Sequence, residues 1–352
     1  MDSFDVADAA RLLGEARVLG PGTGALVSLT HDSRSVVPGS LFAAIPGAVT
    51  DGHRFVDDAL AAGARAVLVE RPLVRTLPEG TTCFVVDDAR RALARLASAF
   101  FGEPTRALRV AAVTGTNGKT TVTYLVEAMA GRAGRVVGVV GTTGVRVSGR
   151  SHPTSHTTPD GPELQGTFSR MRDAGVDTAV IEASSHGLAQ GRAVGTHLDV
   201  AGFVNLTRDH LDFHGDMDAY FQAKRRIVTE LLRESAKPAP ALVVNVDDVR
   251  GRELARDWPK VTAVSARPDS AAGVRPEVLE IDLDGIRGEL STPAGPVPLR
   301  SALVGGFNVT NIAVAVGMAL ALEVPRDAVE AGLRSLRRVP GRLDPVRVPG
   351  IE

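Results

Sequence analysis

The sequence predicts an α/β protein: a small N-terminal α/β unit followed by a phosphate-loop, mostly parallel-sheet domain with both faces covered by helices. Short apolar runs alternate with helical stretches along most of the chain, the pattern of a parallel sheet buried on both sides. The segment Val110 to Met129, VAAVTGTNGKTTVTYLVEAM, reads as a buried strand, a glycine-rich turn and the start of a helix. The length of 352 residues exceeds what one core usually organises, so more than one domain is expected at roughly 100–200 residues each.

Residues 1–106 form the first predicted domain. Ala25 to Thr30 and Leu41 to Ile45 read as strands around the polar turn HDSRSVVPGS, with Phe55 to Ala62 as a helix. Ala66 to Val69 and Phe84 to Val86 follow as strands, and Ala89 to Phe101 as a helix with one apolar face. Gly102 and Pro104 break that helix, which places the boundary there.

Residues 107–338 form the second domain. The runs VVGVVG, DTAVIEAS, VAGFVNLT and ALVVNVDD supply further buried strands. Ligands of such sheets sit at the strands' carboxyl ends, so the polar residues closing these runs matter most. Val278 to Leu299, with its DLDG and TPAGP turns, reads as an antiparallel excursion, and Asn311 to Leu322 and Arg326 to Leu336 as closing helices. Residues 339–352, rich in proline and glycine, read as the start of a linker.

Within GTNGKTT, Gly115 and Gly118 let backbone approach an anion while the helix N-terminus points at the same place. Val113 stands where the first glycine of the general G-x-x-x-x-G-K-[ST] pattern would be, so this is a shorter form. A glycine turn in an ordinary βαβ unit is the plainer alternative. Glu182 ends a buried strand, either as a magnesium ligand or as a glutamate satisfied by backbone donors. Thr120, directly after Lys119, is the hydroxyl expected on the same ion. In NLTRDHLDFHGDMDAYFQAKRR, Asn205, Asp209, His210, Asp212 and His214 crowd one loop. Each histidine alone reads as a loop hydrogen-bonder; beside a phosphate cradle and Glu182, His210 becomes a ligand candidate for a second Mg²⁺. Lys224 would ordinarily be a solvated helix lysine.

Thr157, Thr158, Pro159 and Asp160 form a polar turn, while Ser184, Gln190 and Arg192 are suited to anionic groups. Asp32, Ser33 and Arg34 read equally as plain turn residues. SSHG lacks the G-x-S-x-G elbow of a serine hydrolase. Only four of the 40 basic residues are lysines, and two of those, Lys119 and Lys224, fall inside motifs. A formal net charge of −1 argues against a basic nucleic-acid surface. A lone cysteine, Cys83, suits a reducing cytoplasm and a buried core position. The N-terminus lacks the order of a signal peptide, and no apolar run reaches the roughly 18–20 residues that cross a bilayer. The expectation is a cytoplasmic protein with no nucleic-acid or membrane partner.

The order GTNGKTT, TTPD, EASSHGL, NLTRDHLDFHG, AK, NVDD, GGFNVTN and VPGR resembles the Mur ligases of peptidoglycan synthesis. Within them it is most similar to the branch that adds the third amino acid to UDP-N-acetylmuramoyl-L-alanyl-D-glutamate. The resemblance implies a UDP-binding first domain, a central ATPase, a third domain bringing the amino acid, and a monomer. It assigns Gly115, Thr116, Asn117, Gly118, Lys119, Thr120 and Thr121 to the ATP phosphates, with Asn308 and Arg342 as further ATP contacts. Thr120 and Glu182 would hold one Mg²⁺; Glu182, His210 and Lys224 a second, with Lys224 as a carbamate. Lys119, Glu182, His210 and Lys224 are thus the implied catalytic set. Ser33 would contact the uridine side, and Thr157, Thr158, Ser184, Gln190 and Arg192 the muramoyl-dipeptide.

The implied reaction phosphorylates a substrate carboxylate with ATP, and the amine of an amino acid, meso-diaminopimelate in the expected case, attacks the acyl phosphate. The sequence to Glu352 lacks the implied third domain and the Asp-Asn-Pro-Arg motif of diaminopimelate-adding members. Impaired turnover by this chain alone is therefore expected. Two other readings stand beside this one: a related folylpolyglutamate or cyanophycin ligase, against which the DSR turn argues, and a non-catalytic nucleotide- or UDP-sugar-binding protein.

Overall fold

The structure, a computed structural model, describes residues 4–47, 50–74, 76–147 and 150–342. The backbone divides into two units, the first built from Met1–Pro104, Asp160–Ser169 and Gln190–Thr196, the second from the remainder. Among the described residues the strands form three sheets.

The first unit carries strands β1 (Arg17–Leu19), β2 (Ser28–Thr30), β3 (Ser40–Ala43), β4 (Ala66–Val69) and β5 (Thr82–Val85), in the order β1-β5-β4-β3-β2. β2 to β5 run parallel, and β1 joins the edge antiparallel. Alternate residues of the central strands enter different cores. Leu41, Ala43, Leu68 and Phe84 pack with Val6, Ala9 and Leu93, whereas Phe42, Val67, Val69 and Cys83 pack with Val56 and Ala59. Helices therefore cover both faces, as the apolar runs require. Burial raises the Cys83 thiol pKa to about 11. The helix Val6–Leu13, closed by an Asp5–Asp8 capping box, was not foreseen in the acidic N-terminus.

In the second unit β6 (Arg109–Thr114), β7 (Val137–Gly141), β8 (Gly144–Val147), β9 (Arg150–His152), β10 (Thr178–Glu182), β11 (Val200–Phe203), β12 (Ala241–Asn245) and β13 (Val261–Val264) form one sheet, ordered β13-β12-β11-β6-β10-β7-β8-β9. From β13 to β7 all pairs are parallel; β8 and β9 add an antiparallel edge. Gly144, at φ +92°, opens β8 directly after the turn that follows β7. β14 (Arg275–Asp282), β15 (Gly285–Ser291) and β16 (Val297–Ser301) make the expected antiparallel excursion.

The apolar faces of helices Lys119–Arg132, Phe307–Ala321 and Arg326–Ser335 fill one large core with β6, β7 and β12. The first closing helix starts at Phe307 rather than Asn311, because Gly305 at φ +88° and Gly306 turn the chain into it. Asn308 thereby lies in the first helical turn. β6 sits between β10 and β11, and the chain crosses to one side for β7 and to the other for β11. This is the switch point at which such sheets bind ligands. No helix among the described residues is long and apolar enough to cross a membrane.

Candidate active site

Register brings the site together. Glu182 pairs with Val113 across the β10–β6 ladder, and Phe203 pairs with Thr114 across β11–β6. The loop after β6 therefore starts between the ends of its two neighbours. Gly118, at φ +92°, caps the helix that opens with Lys119. A Cβ at Gly118 would overlap the Asn311 side-chain oxygen, so the close approach as well as the backbone angle demands glycine. The Asn117 N–H donates to Asn205 Oδ1 at 3.0 Å and the Thr116 N–H to the Asn205 carbonyl at 3.0 Å, which fastens the loop to β11's end. Thr116 Oγ1 lies 3.2 Å from the Tyr220 hydroxyl and accepts the Thr207 N–H at 3.0 Å.

Lys119 folds back on this loop, donating from Nζ to the carbonyls of Gly115 at 2.8 Å and Thr116 at 3.0 Å. Burial lowers its pKa, against the attraction of Glu182. Lys224 is not the solvated lysine its helix suggests: it is 1% exposed. Its Nζ donates to the same Gly115 carbonyl at 2.8 Å and lies 4.4 Å from the Tyr220 ring centroid. Burial, then repulsion from Lys119, pulls its pKa well below that of an ordinary lysine.

Glu182 is 1% exposed and collects donors. Thr120 Oγ1 donates to Oε2 at 3.1 Å, Thr142 Oγ1 to the same oxygen at 3.1 Å, and the Thr142 N–H to Oε1 at 3.0 Å. A Cβ at Gly141 would overlap the carboxylate, so that glycine makes room for it. Thr142 Oγ1 also lies 3.2 Å from Thr157 Oγ1. Thr158 Oγ1 donates to the Glu182 carbonyl at 2.8 Å, sits 3.0 Å from Ser184 Oγ and accepts the Ser184 N–H at 3.0 Å. Thr157, Thr158 and Ser184 are thus tied to the end of β10. Sequence reasoning missed Gly141, Thr142, Tyr220 and Asn311; the glycine and threonine closing VVGTTG carried the available signal for the first two.

His210 lies at the start of the short helix Leu211–His214. Its backbone is left-handed at φ +51°, its side chain is 46% exposed, and its ring faces His186 at 4.9 Å between centroids. Among the described residues no group of three or more histidine, cysteine, aspartate or glutamate side chains is arranged to hold a metal ion. The oxygens of Glu182, Thr120 and Thr142 are nevertheless the hard donors that Mg²⁺ takes alongside water and phosphate. Lys224 as an amine is a donor and fits a cation only after its nitrogen acquires a carboxyl group.

Beside the loop lies a cavity of about 470 Å³ lined by Asn117, Gly118, Thr121, Asn205, Phe307, Asn308 and Arg342, among others. Asn308 is fixed from both ends, donating to the Val304 carbonyl at 2.8 Å and accepting from Asn311 Nδ2 at 2.8 Å. Arg342 Nη2 lies 3.3 Å from Thr120 Oγ1. One wall is apolar, through Leu303 and Phe307, and the other is amide-rich, which suits a flat heterocycle next to a phosphate loop.

In the first unit, Ser33 opens a short turn whose neighbours pair with each other: Arg34 donates twice to the Asp32 carboxylate, each time at 2.8 Å. Gln190 and Arg192 also belong to this unit, and Arg192 Nε donates to Gln190 Oε1 at 2.9 Å. Arg192 is 8% exposed, and burial lowers its pKa against the pull of Asp160.

Comparison with known proteins bears on this arrangement. Residues 113–319 match the model of the Mur ligase middle domain, and residues 26–101 that of the Mur ligase family catalytic domain. The UDP-N-acetylmuramoyl-L-alanyl-D-glutamate–2,6-diaminopimelate ligase of Geobacter metallireducens is 45% identical over 340 residues, which is 96% of this chain and 66% of the relative. The chain thus spans slightly under two thirds of that relative's length. A solved structure of a ligase of the same name superposes with a TM-score of 0.85 at 28% identity, covering 98% of this chain and 69% of that one. The MurF ligase of Thermotoga maritima in complex with ADP shares the fold at 22% identity and a TM-score of 0.59, covering 92% of this chain and 69% of its own.

Proposed function

The chain belongs to the Mur ligase family, and on that premise we propose that it carries the UDP-substrate-binding and ATP-binding parts of an ATP-dependent amide-bond ligase. The substrate is UDP-N-acetylmuramoyl-L-alanyl-D-glutamate and the incoming amino acid meso-diaminopimelate, by similarity to the relatives of that name. The first unit binds the UDP-substrate, the second ATP, and the protein acts as a cytoplasmic monomer. One observation carries the reading: a buried carboxylate, Glu182, gathered by Thr120 and Thr142 beneath a loop on which two lysine amines converge.

The chemistry follows from the substrate. A carboxylate is a poor electrophile, so its oxygen attacks the γ-phosphorus of ATP, the bond to the β–γ bridging oxygen breaks, and ADP leaves. The amine then attacks the carbonyl carbon of the acyl phosphate, loses a proton, and inorganic phosphate departs. Residues 115–121 cradle the phosphates through backbone N–H groups, and Lys119, released from its two carbonyls, meets the β- and γ-phosphates. Thr120 and Glu182 would hold one Mg²⁺ and Glu182, His210 and a carbamylated Lys224 a second; bound there, the ions spread the charge of the transferring phosphoryl group. Asn308 and Arg342 line the ATP side, Ser33 the uridine side, and Thr157, Thr158, Ser184, Gln190 and Arg192 the muramoyl-dipeptide.

Positional isotope exchange in ATP, run with UDP-N-acetylmuramoyl-L-alanyl-D-glutamate and no amino acid, tests the reading. Exchange that needs the UDP-substrate and disappears in Lys119→Ala supports it. Exchange that is absent, or indifferent to the UDP-substrate, overturns it in favour of a protein that only binds.

A further inference from the structure

Asp160, in the turn before the helix Gly161–Asp173, is the meeting point of three segments of the first unit. Arg90 Nη1 donates to Asp160 Oδ1 at 2.8 Å, and Arg192 Nε lies 3.3 Å from the same oxygen. His31 Nε2 is 3.7 Å from Oδ2. The side chains are 15% exposed for Asp160, 20% for Arg90 and 9% for Arg192, so water screens these charges little. Two guanidiniums sharing one carboxylate oxygen would repel each other if that charge were lost.

The direction of the Arg192 contact matters. Gln190 Oε1 and Asp160 Oδ1 both take its Nε edge. A planar guanidinium held along one edge has the direction of its Nη groups fixed, which is the requirement for forked recognition of a carboxylate or phosphate. Gly191, at φ +64°, makes the turn between Gln190 and Arg192, and a Cβ there would crowd the Arg91 side chain.

We propose that Asp160 is a positioning residue for the UDP-substrate: it holds the Arg192 guanidinium in the orientation that meets an anionic oxygen of that ligand, and acts only through Arg192. The inference rests on the proposed assignment of Arg192 to substrate. Two effects oppose each other, since a carboxylate near an anionic ligand also repels it. Geometry should win, because Asp160 is already matched by two guanidiniums and is the carboxylate that meets Arg192 at Nε, the nitrogen that sets the direction of its Nη groups.

Calorimetric titration of the 352-residue chain with UDP-N-acetylmuramoyl-L-alanyl-D-glutamate tests this. Asp160→Asn should weaken binding about tenfold, and the double variant Asp160→Asn/Arg192→Ala should bind no more weakly than Arg192→Ala alone. Asp160→Glu, which keeps the charge and the fold but displaces the carboxylate by one methylene, should show the same Arg192-dependent loss to a smaller degree. Parallel titrations with UDP locate the anion: loss with both ligands assigns the pyrophosphate, loss with the dipeptide ligand alone assigns the peptide carboxylates, and either supports the proposal. Unchanged or tighter binding in Asp160→Asn, or an equal loss in both Arg192 backgrounds, overturns it. Failure of the unsubstituted chain to bind the UDP-substrate instead sinks the functional reading on which it rests.

Discussion

The side-chain amines of Lys119 and Lys224 both donate to the carbonyl oxygen of Gly115, each at 2.8 Å. Two buried cations on one oxygen repel, and the pKa of Lys224 is lowered by burial and by Lys119 together. Lys119 is attracted by Glu182 and Asp209, whereas Lys224 has Asp209 against the repulsion of Lys119, so Lys224 gives up its proton more readily. Lys224 therefore presents a neutral nucleophile at a pH where a solvated lysine is cationic, and a neutral amine is what adds CO₂.

We predict that Lys224 forms a carbamate near neutral pH. With ¹³C-labelled bicarbonate, the folded protein should give a carbamate carbon resonance at pH 7 that vanishes in Lys224→Arg and survives in Lys237→Arg. A spectrum identical in Lys224→Arg and the parent would refute the assignment.

Thr142 should matter to catalysis as much as the better signposted Thr120. Thr142→Val removes a hydroxyl bond to the Glu182 carboxylate while the backbone N–H bond stays. Bonds to charged groups contribute about 1.5–3 kcal/mol, so substrate-dependent ATP turnover should fall about ten- to hundredfold. Thr142→Ser should recover most of it; no recovery would assign the loss to packing instead.

Gly118→Ala places a Cβ on Asn311 and forces alanine into a left-handed conformation at φ +92°. Strain of this kind costs about 1–3 kcal/mol. Urea unfolding should register a loss of that size, together with weaker binding of a non-hydrolysable ATP analogue. Stability equal to the parent's would show that the loop relaxes freely.

Stability should also fall on mild acidification through His214. Its pKa is lowered to about 4 by burial first, then by His186, Lys224 and His210, with Asp212 opposing. Its buried Nε2 has no hydrogen-bond partner among the described residues. Between the ordinary value of 6.5 and about 4 the unfolded chain binds the proton and the folded one does not, so stability drops as pH falls through that window. His214→Gln should show a shallower loss between pH 7 and pH 5 in urea unfolding; an unchanged slope would remove His214 from the account.

How much was legible beforehand depended on the range of the interactions. Glu182 could be read from the sequence because a buried strand ending in an acid is a local pattern, and its place beside the loop follows from parallel register. Lys224 was legible only through the family resemblance, since AKRR in a helix looks solvated and its partner Gly115 lies 109 residues away. Gly141 and Thr142 looked like a strand end; their purpose appears only when β10 lies beside β7. Asp160 was one polar residue among four in a turn, because the arginines it joins come from distant segments. The hairpin of β8 and β9 escaped notice since glycine on both sides masked a short alternation.

The first unit's discontinuity sets a schedule for synthesis. Its sheet is complete by Pro104, yet Asp160 and Arg192 belong to pieces that end only at Thr196, roughly ninety residues later. At about 5–20 residues per second, a ribosome takes roughly 5–20 s to deliver them. For that interval the nascent chain holds a finished sheet and an unfinished unit, while the phosphate loop and β6 have already been made. Arg90 emerges long before the carboxylate that will neutralise it, so the first unit is completed only after the opening part of the second has been made.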